Sequence, residues 1–234
     1  MDVKRSRIQR IVLTSSCAAI LDTSDTAVTV SEEDWNDQRV LECNKFGRSA
    51  AGLSKYSASK TLAERAAWDF WDANKDRLKW DISVINPPYI FGPILHEVES
   101  PENLKSSTKY FYDAIVRNEF VGLPPTRRPG HGYVDVRDVA AAHIKALQTP
   151  GAGGERIIVS AGSWVWQDAI NAAIAVGEPL YKLHPATVSQ DDIPTRFITF
   201  DTRKQAKILG LELRSMEDIV HDVLVDYSKR GWIP

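Results

Sequence analysis

Arg10-Ile11-Val12-Leu13-Thr14-Ser15-Ser16 is a short β-branched and apolar run closed by small polar residues, the pattern of a strand buried on both faces of a parallel sheet. Its carboxyl end carries the serines. Downstream, residues 21–50 hold little periodicity but much Asp, Glu, Ser and Asn around Trp35, and read as a long surface connection. Over 54–74 Tyr56, Ala63, Ala66, Ala67, Phe70 and Trp71 recur at three- and four-residue spacing and predict a helix. Ile82-Ser83-Val84-Ile85-Asn86-Pro87-Pro88 is a second buried strand, stopped by prolines that cannot donate to a ladder. Strand, helix and strand in this order make a parallel unit with a right-handed crossover.

The rest of the chain continues the alternation. A helix is expected over 101–118, then a loop through 132, a short strand over 133–136, and a helix over 139–148 capped by Asp138. Gly151-Ala152-Gly153-Gly154 is a turn into a strand over 156–160. Helices follow over 166–176, 202–209 and 215–229, the last with Met216, Ile219, Val220, Val223 and Leu224 on one stripe. There is no internal repeat, and the whole reads as an α/β protein.

Composition excludes several functions. With 43% hydrophobic and 26% charged residues, 234 residues make an ordinary globular chain, neither disordered nor fibrous. The 29 Lys and Arg against 31 Asp and Glu give a net charge of −2, which favours neither nucleic acid nor an acidic membrane surface as partner. Cys17 and Cys43 form no C-x-x-C pair and read as free thiols. His96, His131, His143, His184 and His221 share no metal-like spacing with carboxylates or cysteines, so no metal site is expected. The apolar stretch at 11–13 is too short for a signal-peptide core, and no stretch reaches the ~18 apolar residues of a membrane span. A soluble cytoplasmic protein is the expectation.

Tyr56-Ser57-Ala58-Ser59-Lys60 places a phenol and an ammonium four residues apart, so on a helix both project from one face. A phenol with an ordinary pKa near ~10 is a poor acid–base catalyst at neutral pH, and an adjacent positive charge stabilises its phenolate. Such a tyrosine can exchange a proton with a substrate oxygen, although a solvated helix face gives the same pattern. Ser16 ends a parallel strand, and ligand sites in open α/β sheets lie beyond the carboxyl ends of the strands. Its hydroxyl can hydrogen-bond the oxygen that Tyr56 protonates, or simply satisfy local backbone groups.

Five ordered motifs now make a pattern: Arg10 to Ser16, Glu33-Asp34-Trp35, Tyr56-Ser57-Ala58-Ser59-Lys60-Thr61-Leu62-Ala63-Glu64, Asn86-Pro87-Pro88-Tyr89-Ile90-Phe91-Gly92-Pro93, and Tyr133-Val134-Asp135-Val136-Arg137-Asp138-Val139-Ala140. In that order they resemble the extended short-chain dehydrogenase/reductases of the NAD-dependent epimerase/dehydratase superfamily, in particular the dihydroflavonol-reductase-like branch with fungal ketone and aldehyde reductases. The resemblance implies Ser16, Tyr56 and Lys60 as the catalytic set. NADP or NAD would be held at its nicotinamide end by Tyr56, Lys60, Pro87, Pro88, Tyr89 and Ile90, and the substrate would be a small ketone, aldehyde or secondary alcohol. Hydride would pass between cofactor and carbonyl carbon, with Tyr56 as proton donor.

The implied fold is a partial doubly wound, Rossmann-like parallel sheet lacking its first strands, with a smaller α/β substrate-binding part. Residues 1–95 would carry the catalytic end of the cofactor-binding domain and 96–234 mainly the substrate-binding part, with 133–160 returning to the main sheet. The 13 glycines offer no G-x-x-G-x-x-G or G-x-G-x-x-G after a strand, and the family reaches its serine-bearing strand only after about a hundred residues. The chain is therefore expected to match the C-terminal two-thirds of a reductase. A non-catalytic remnant or interaction protein is the alternative, and a sugar-nucleotide epimerase or dehydratase the second. Arg127-Arg128 either border a substrate pocket or form an exposed basic loop. Trp164 and Trp166 either anchor a helix start or line an apolar pocket, and Tyr89 and Phe91 either touch substrate or pack inward.

Overall fold

The computed structural model describes residues 8–21, 23–24, 26–119, 129–177, 180 and 197–233. The chain divides into two compact units, one gathering Met1–Pro88, Ala140–Val159 and Phe200–Glu212, the other Tyr89–Val139, Ser160–Thr199 and Leu213–Pro234.

In the first unit β1 (Arg10–Thr14), β3 (Asp81–Asn86) and β6 (Arg156–Ile158) form a parallel sheet with β3 in the middle. The central strand is sealed from Ile82 to Asn86. β1 was expected to be buried on both faces, yet Ile11 is 41% exposed and no β1 residue is fully buried. The reason is its edge position: among the described residues it pairs with β3 alone. Between these strands run β2 (Val28–Val30), α1 (Asp37–Phe46) and the 23-residue α2 (Gly52–Asn74). The inward face of α2 is Ser54, Ser57, Ala58, Thr61 and Glu64. Those side chains are small or polar, so the helix can pack close on the 3-10 turn Cys17–Ala19.

The connection over 21–50 is not all loop, since α1 lies inside it. That helix buries no residue, so no apolar period announces it. Its start is signed by Asn36, whose side-chain oxygen accepts the Arg39 N–H at 3.3 Å. Arg39 and Ser54 both reach Glu42, tying α1 to α2.

At the other end of β1, Arg10 fixes the register. Its guanidinium meets both Asp81 oxygens at 2.5 and 2.9 Å, directly across the β1–β3 pair, and donates to the carbonyls of Ala146 and Thr149. Those carbonyls belong to the C-terminal end of α4 (Val136–Gln148), where a cation is favourable.

The second unit has a mixed sheet in which β5 (Pro129–Asp135) lies between β4 (Tyr89–Phe91), parallel to it, and β7 (Gly162–Val165), antiparallel to it. Its core joins Phe91, Phe111, Trp164 and Trp166 to α3 (Ser106–Ile115), α5 (Trp166–Val176) and α7 (Met216–Lys229). Trp164 sits within β7 and Trp166 opens α5; their ring centres are 4.8 Å apart. The helix expected over 101–118 is broken: a 3-10 turn Pro101–Asn103 precedes α3, and Ser106 takes the left-handed φ of 55° at the junction. Asp138 does not cap α4. Buried Asp135, at the end of β5, accepts the Arg137 N–H at 2.7 Å and pairs with the Arg137 guanidinium, while Asp138 accepts from Arg214. The helix consequently starts at Val136, three residues earlier than expected.

Gly153 stands where close approach demands a glycine. A Cβ there would lie 2.1 Å from Asp81 Oδ2 and 2.6 Å from Arg10 Nη2. Gly153→Ala should therefore displace the Arg10–Asp81 pair and lower unfolding stability by about 1–3 kcal/mol, measured by urea denaturation. A wild-type midpoint in the variant would contradict this packing.

Candidate active site

Ser16 lies at the carboxyl end of β1, where the chain leaves the sheet. Its backbone is extended, and its Oγ accepts the Ala18 N–H at 3.1 Å, capping the short turn Cys17–Ala19. That bond uses a lone pair and leaves the hydroxyl proton free to donate. The next residue, Cys17, donates its N–H to the Pro87 carbonyl at 2.9 Å, so the serine turn and the start of the Pro87-Pro88 segment lie side by side. Burial, reinforced by the Glu32 and Glu64 charges, pushes the Cys17 thiol well above its ordinary range, which keeps it protonated and poor as a nucleophile.

Tyr56 and Lys60 border the buried stripe of α2 on the same side. Tyr56 is 47% exposed and Lys60 partly exposed, and among the described residues neither side chain is taken up by an ion pair or hydrogen bond. A hydroxyl and an ammonium are thus presented together on one helix. Pro87 and Pro88 end the buried strand, and Tyr89 and Ile90 open β4 in the second unit, where Tyr89 packs edge-on against Trp164 and the Ile90 carbonyl accepts from Ser107.

Beneath the serine turn lies a buried polar network that pattern reading does not find. Glu64, 1% exposed on α2, accepts from Ser15 Oγ at 2.5 Å and Asn86 Nδ2 at 2.8 Å on one oxygen, and from Arg156 Nε at 2.5 Å on the other. The Asn86 amide nitrogen is also 3.3 Å from the Ser16 carbonyl. Arg156 extends to the carbonyls of Glu32 and Asp34, and its guanidinium lies 3.7 Å from the centre of the Trp35 ring. Asn36 closes the circuit by donating its side-chain amide to the Ala18 carbonyl at 2.9 Å. The Glu33-Asp34-Trp35 element thus serves as a lid on Arg156 and a brace for the serine turn.

Other candidates fall elsewhere. His143 hydrogen-bonds Thr14, and His221 hydrogen-bonds Asp222. Arg127, Arg128 and His184 lie outside the described residues. Among the described residues no three His, Cys, Asp or Glu side chains gather as a metal would require, and no helix is long and apolar enough to cross a membrane.

Glu32 gives a pH prediction. Its carboxylate accepts the Ile158 N–H at 3.0 Å, but burial raises its pKa above the ordinary glutamate value. A carboxyl with a raised folded pKa favours folding below its unfolded pKa and loses that contribution as pH rises through the folded one. Glu32→Gln keeps the acceptor and does not titrate. It should match or exceed wild-type stability at pH 7, with its relative advantage shrinking as pH falls toward 4. Thermal melts across this range check it, and an advantage that grows on acidification would contradict it.

The model of the family described as "NAD dependent epimerase/dehydratase family" matches residues 3–162. The NADPH-dependent methylglyoxal reductase GRE2 of Saccharomyces cerevisiae is 31% identical over 231 residues, covering 92% of this chain and 62% of that protein. The ketoreductase azaE of Aspergillus niger is 32% identical, covering 96% and 64%. Among solved structures, yeast methylglyoxal/isovaleraldehyde reductase Gre2 complexed with NADPH aligns over 96% of this chain and 65% of its own, at 30% identity and a TM-score of 0.76. Gre2 of Candida albicans aligns with a TM-score of 0.81 at 29% identity, covering 96% and 66%. The chain therefore spans a little under two thirds of the length of these curated relatives. Its parallel sheet, its motif order and the extent of the match agree, and the chain belongs to the NAD-dependent epimerase/dehydratase family.

Proposed function

We propose that this chain carries the reacting end of an NADPH-dependent carbonyl reductase that acts on a small ketone or aldehyde. The observation behind this reading is the placement of Tyr56 and Lys60 on the exposed border of α2, the same helix whose buried face packs on the Ser16 turn. The donor set fits the nicotinamide-ribose end of the cofactor. Lys60 offers an ammonium and Tyr56 a hydroxyl to sugar hydroxyls, and both are open to a ligand. The backbone at Pro87 and Pro88 would border the ring. The relatives named for NADPH favour NADP over NAD.

When bound, the reduced cofactor supplies hydride to the carbonyl carbon. The protein's part is to manage the oxygen. Ser16 donates its free hydroxyl proton in a hydrogen bond to the carbonyl oxygen, orienting it and steadying the charge that builds there. Tyr56 gives its phenolic proton to the same oxygen, completing the alcohol. Lys60 stabilises the phenolate left behind and holds the ribose hydroxyls. The proton returns to Tyr56 from solvent, to which the residue is exposed.

Quenching of the seven tryptophans by NADPH and NADH tests the cofactor claim, with saturable micromolar binding expected and NADPH the tighter. NADPH oxidation with methylglyoxal and a simple aliphatic ketone tests the reaction. Tyr56→Phe should lower turnover by about 10²–10⁴-fold while largely sparing cofactor affinity. Unchanged turnover in that variant would reject the tyrosine's role. Failure of either cofactor to saturate would favour the non-catalytic reading.

A further inference from the structure

α2 carries Tyr56, Lys60 and Glu64 at four-residue intervals, so each step moves about 6 Å along the helix and about 40° around it. The first two side chains are open and the third is sealed. Glu64 is thus the inward member of the row that presents the phenol and the ammonium. One of its oxygens takes Ser15 and Asn86, the other takes Arg156. Asn86 forks: the same amide nitrogen that meets Glu64 also meets the Ser16 carbonyl. A flipped amide would aim Oδ1 at two acceptors, the Glu64 carboxylate and the Ser16 carbonyl, so the orientation is fixed by repulsion as well as attraction. Two routes therefore run from the Tyr56 helix to the serine turn, one through the side chain of Ser15 and one through Asn86. Arg156 holds the carboxylate aimed, and is itself held by the Glu32 and Asp34 carbonyls and the Trp35 ring.

We propose that Glu64 is a positioning residue, setting the Ser16 turn against the helix that bears Tyr56 and Lys60 through Ser15 and Asn86. Its value for catalysis rests on the reading of Ser16, Tyr56 and Lys60 as the reacting set; the tether itself does not. The motion it restrains is local, a lifting of residues 15–17 from the helix without global unfolding.

Cys17 reports that motion. It is buried next to Ser16, with its Sγ 3.2 Å from the Asn86 carbonyl. Cys43→Ser leaves it the only thiol in the chain. Glu64→Ala is the obvious variant, but it strands the Arg156 guanidinium and can simply fail to fold. Ser15→Ala and Asn86→Ala keep Glu64 and Arg156 paired, so the charges that act on the Cys17 thiol stay in place. Ser15→Ala also opens almost no space, which controls for access through a cavity at Asn86.

The experiment measures the rate of N-ethylmaleimide labelling of Cys17 under native conditions, together with the urea unfolding curve of each variant. We expect both variants to label at least tenfold faster than their change in global unfolding constant explains. In the carbonyl assay kcat should fall while the NADPH KM stays within about twofold. Labelling that rises only in proportion to the unfolding constant would overturn the tether and leave the network a stability element. Uncoupled labelling with unchanged kcat would uphold the tether and overturn the catalytic reading of Ser16.

Discussion

A carboxylate and a guanidinium shut away from water govern the first unit. Glu64 and Arg156 meet at 2.5 Å with side-chain exposures of 0% and 10%, and breaking such a pair by removing one partner costs about 3–5 kcal/mol because the survivor stays charged and buried. Hydrogen bonds offset much of the burial cost, from Ser15 and Asn86 to the acid and from the base to the carbonyls of Glu32 and Asp34. Arg156 Nη2 is buried with no hydrogen-bond partner among the described residues, and the guanidinium is covered by the Trp35 ring. Those partners lie at the end of β1, the end of β3 and the loop before α1. The ion pair itself joins α2 to the start of β6. Five pieces of chain, distant in sequence, are held to one point, and the serine turn is built on it.

The network also explains the chemistry of α2's inward face. A helix packed on an apolar sheet ordinarily buries Leu, Ile or Val, whereas this one buries serines, a threonine, an alanine and a glutamate. Small side chains allow a close approach and the glutamate supplies direction, since a carboxylate with assigned donors on both oxygens tolerates little sliding or rotation. Apolar packing alone would leave the helix register softer. The second unit is organised differently. There the aromatic cluster of Phe91, Phe111, Trp164 and Trp166 supplies the burial, and the Asp135–Arg137–Asp222 chain pins the β5–α4 junction to α7.

Much of this was readable from the residues. β1, β3 and α2 announce themselves by β-branched runs and by helical spacing, whereas strand-end and i, i+4 geometry only make Ser16, Tyr56 and Lys60 candidates, and their role as a reacting set is what the family resemblance implies. α1 was illegible because it buries nothing, and a helix without a buried stripe has no period to detect. β4 and β7 are only three and four residues long, too short for alternation to show beside prolines and a helix start. Glu64, Asn86 and Arg156 were hidden for another reason. Each looks ordinary in its own segment, and only the fold brings residues 22, 70 and 92 positions apart within hydrogen-bond reach. One hint was present: a charged residue opening the apolar strand Arg156–Ile158 implies a buried partner.

Native-state amide hydrogen exchange measures most directly whether the serine turn and α2 form one cooperative piece. The Ser15 amide donates to the Ile85 carbonyl and the Cys17 amide to the Pro87 carbonyl, both at 2.9 Å, so both are protected while the turn is seated. If the Glu64 network joins turn and helix, these amides should exchange with the same opening free energy as the buried α2 amides from Ser57 to Glu64. Rapid exchange at Ser15 and Cys17 while those α2 amides stay protected would show that the turn moves on its own and that the network does not hold the site together.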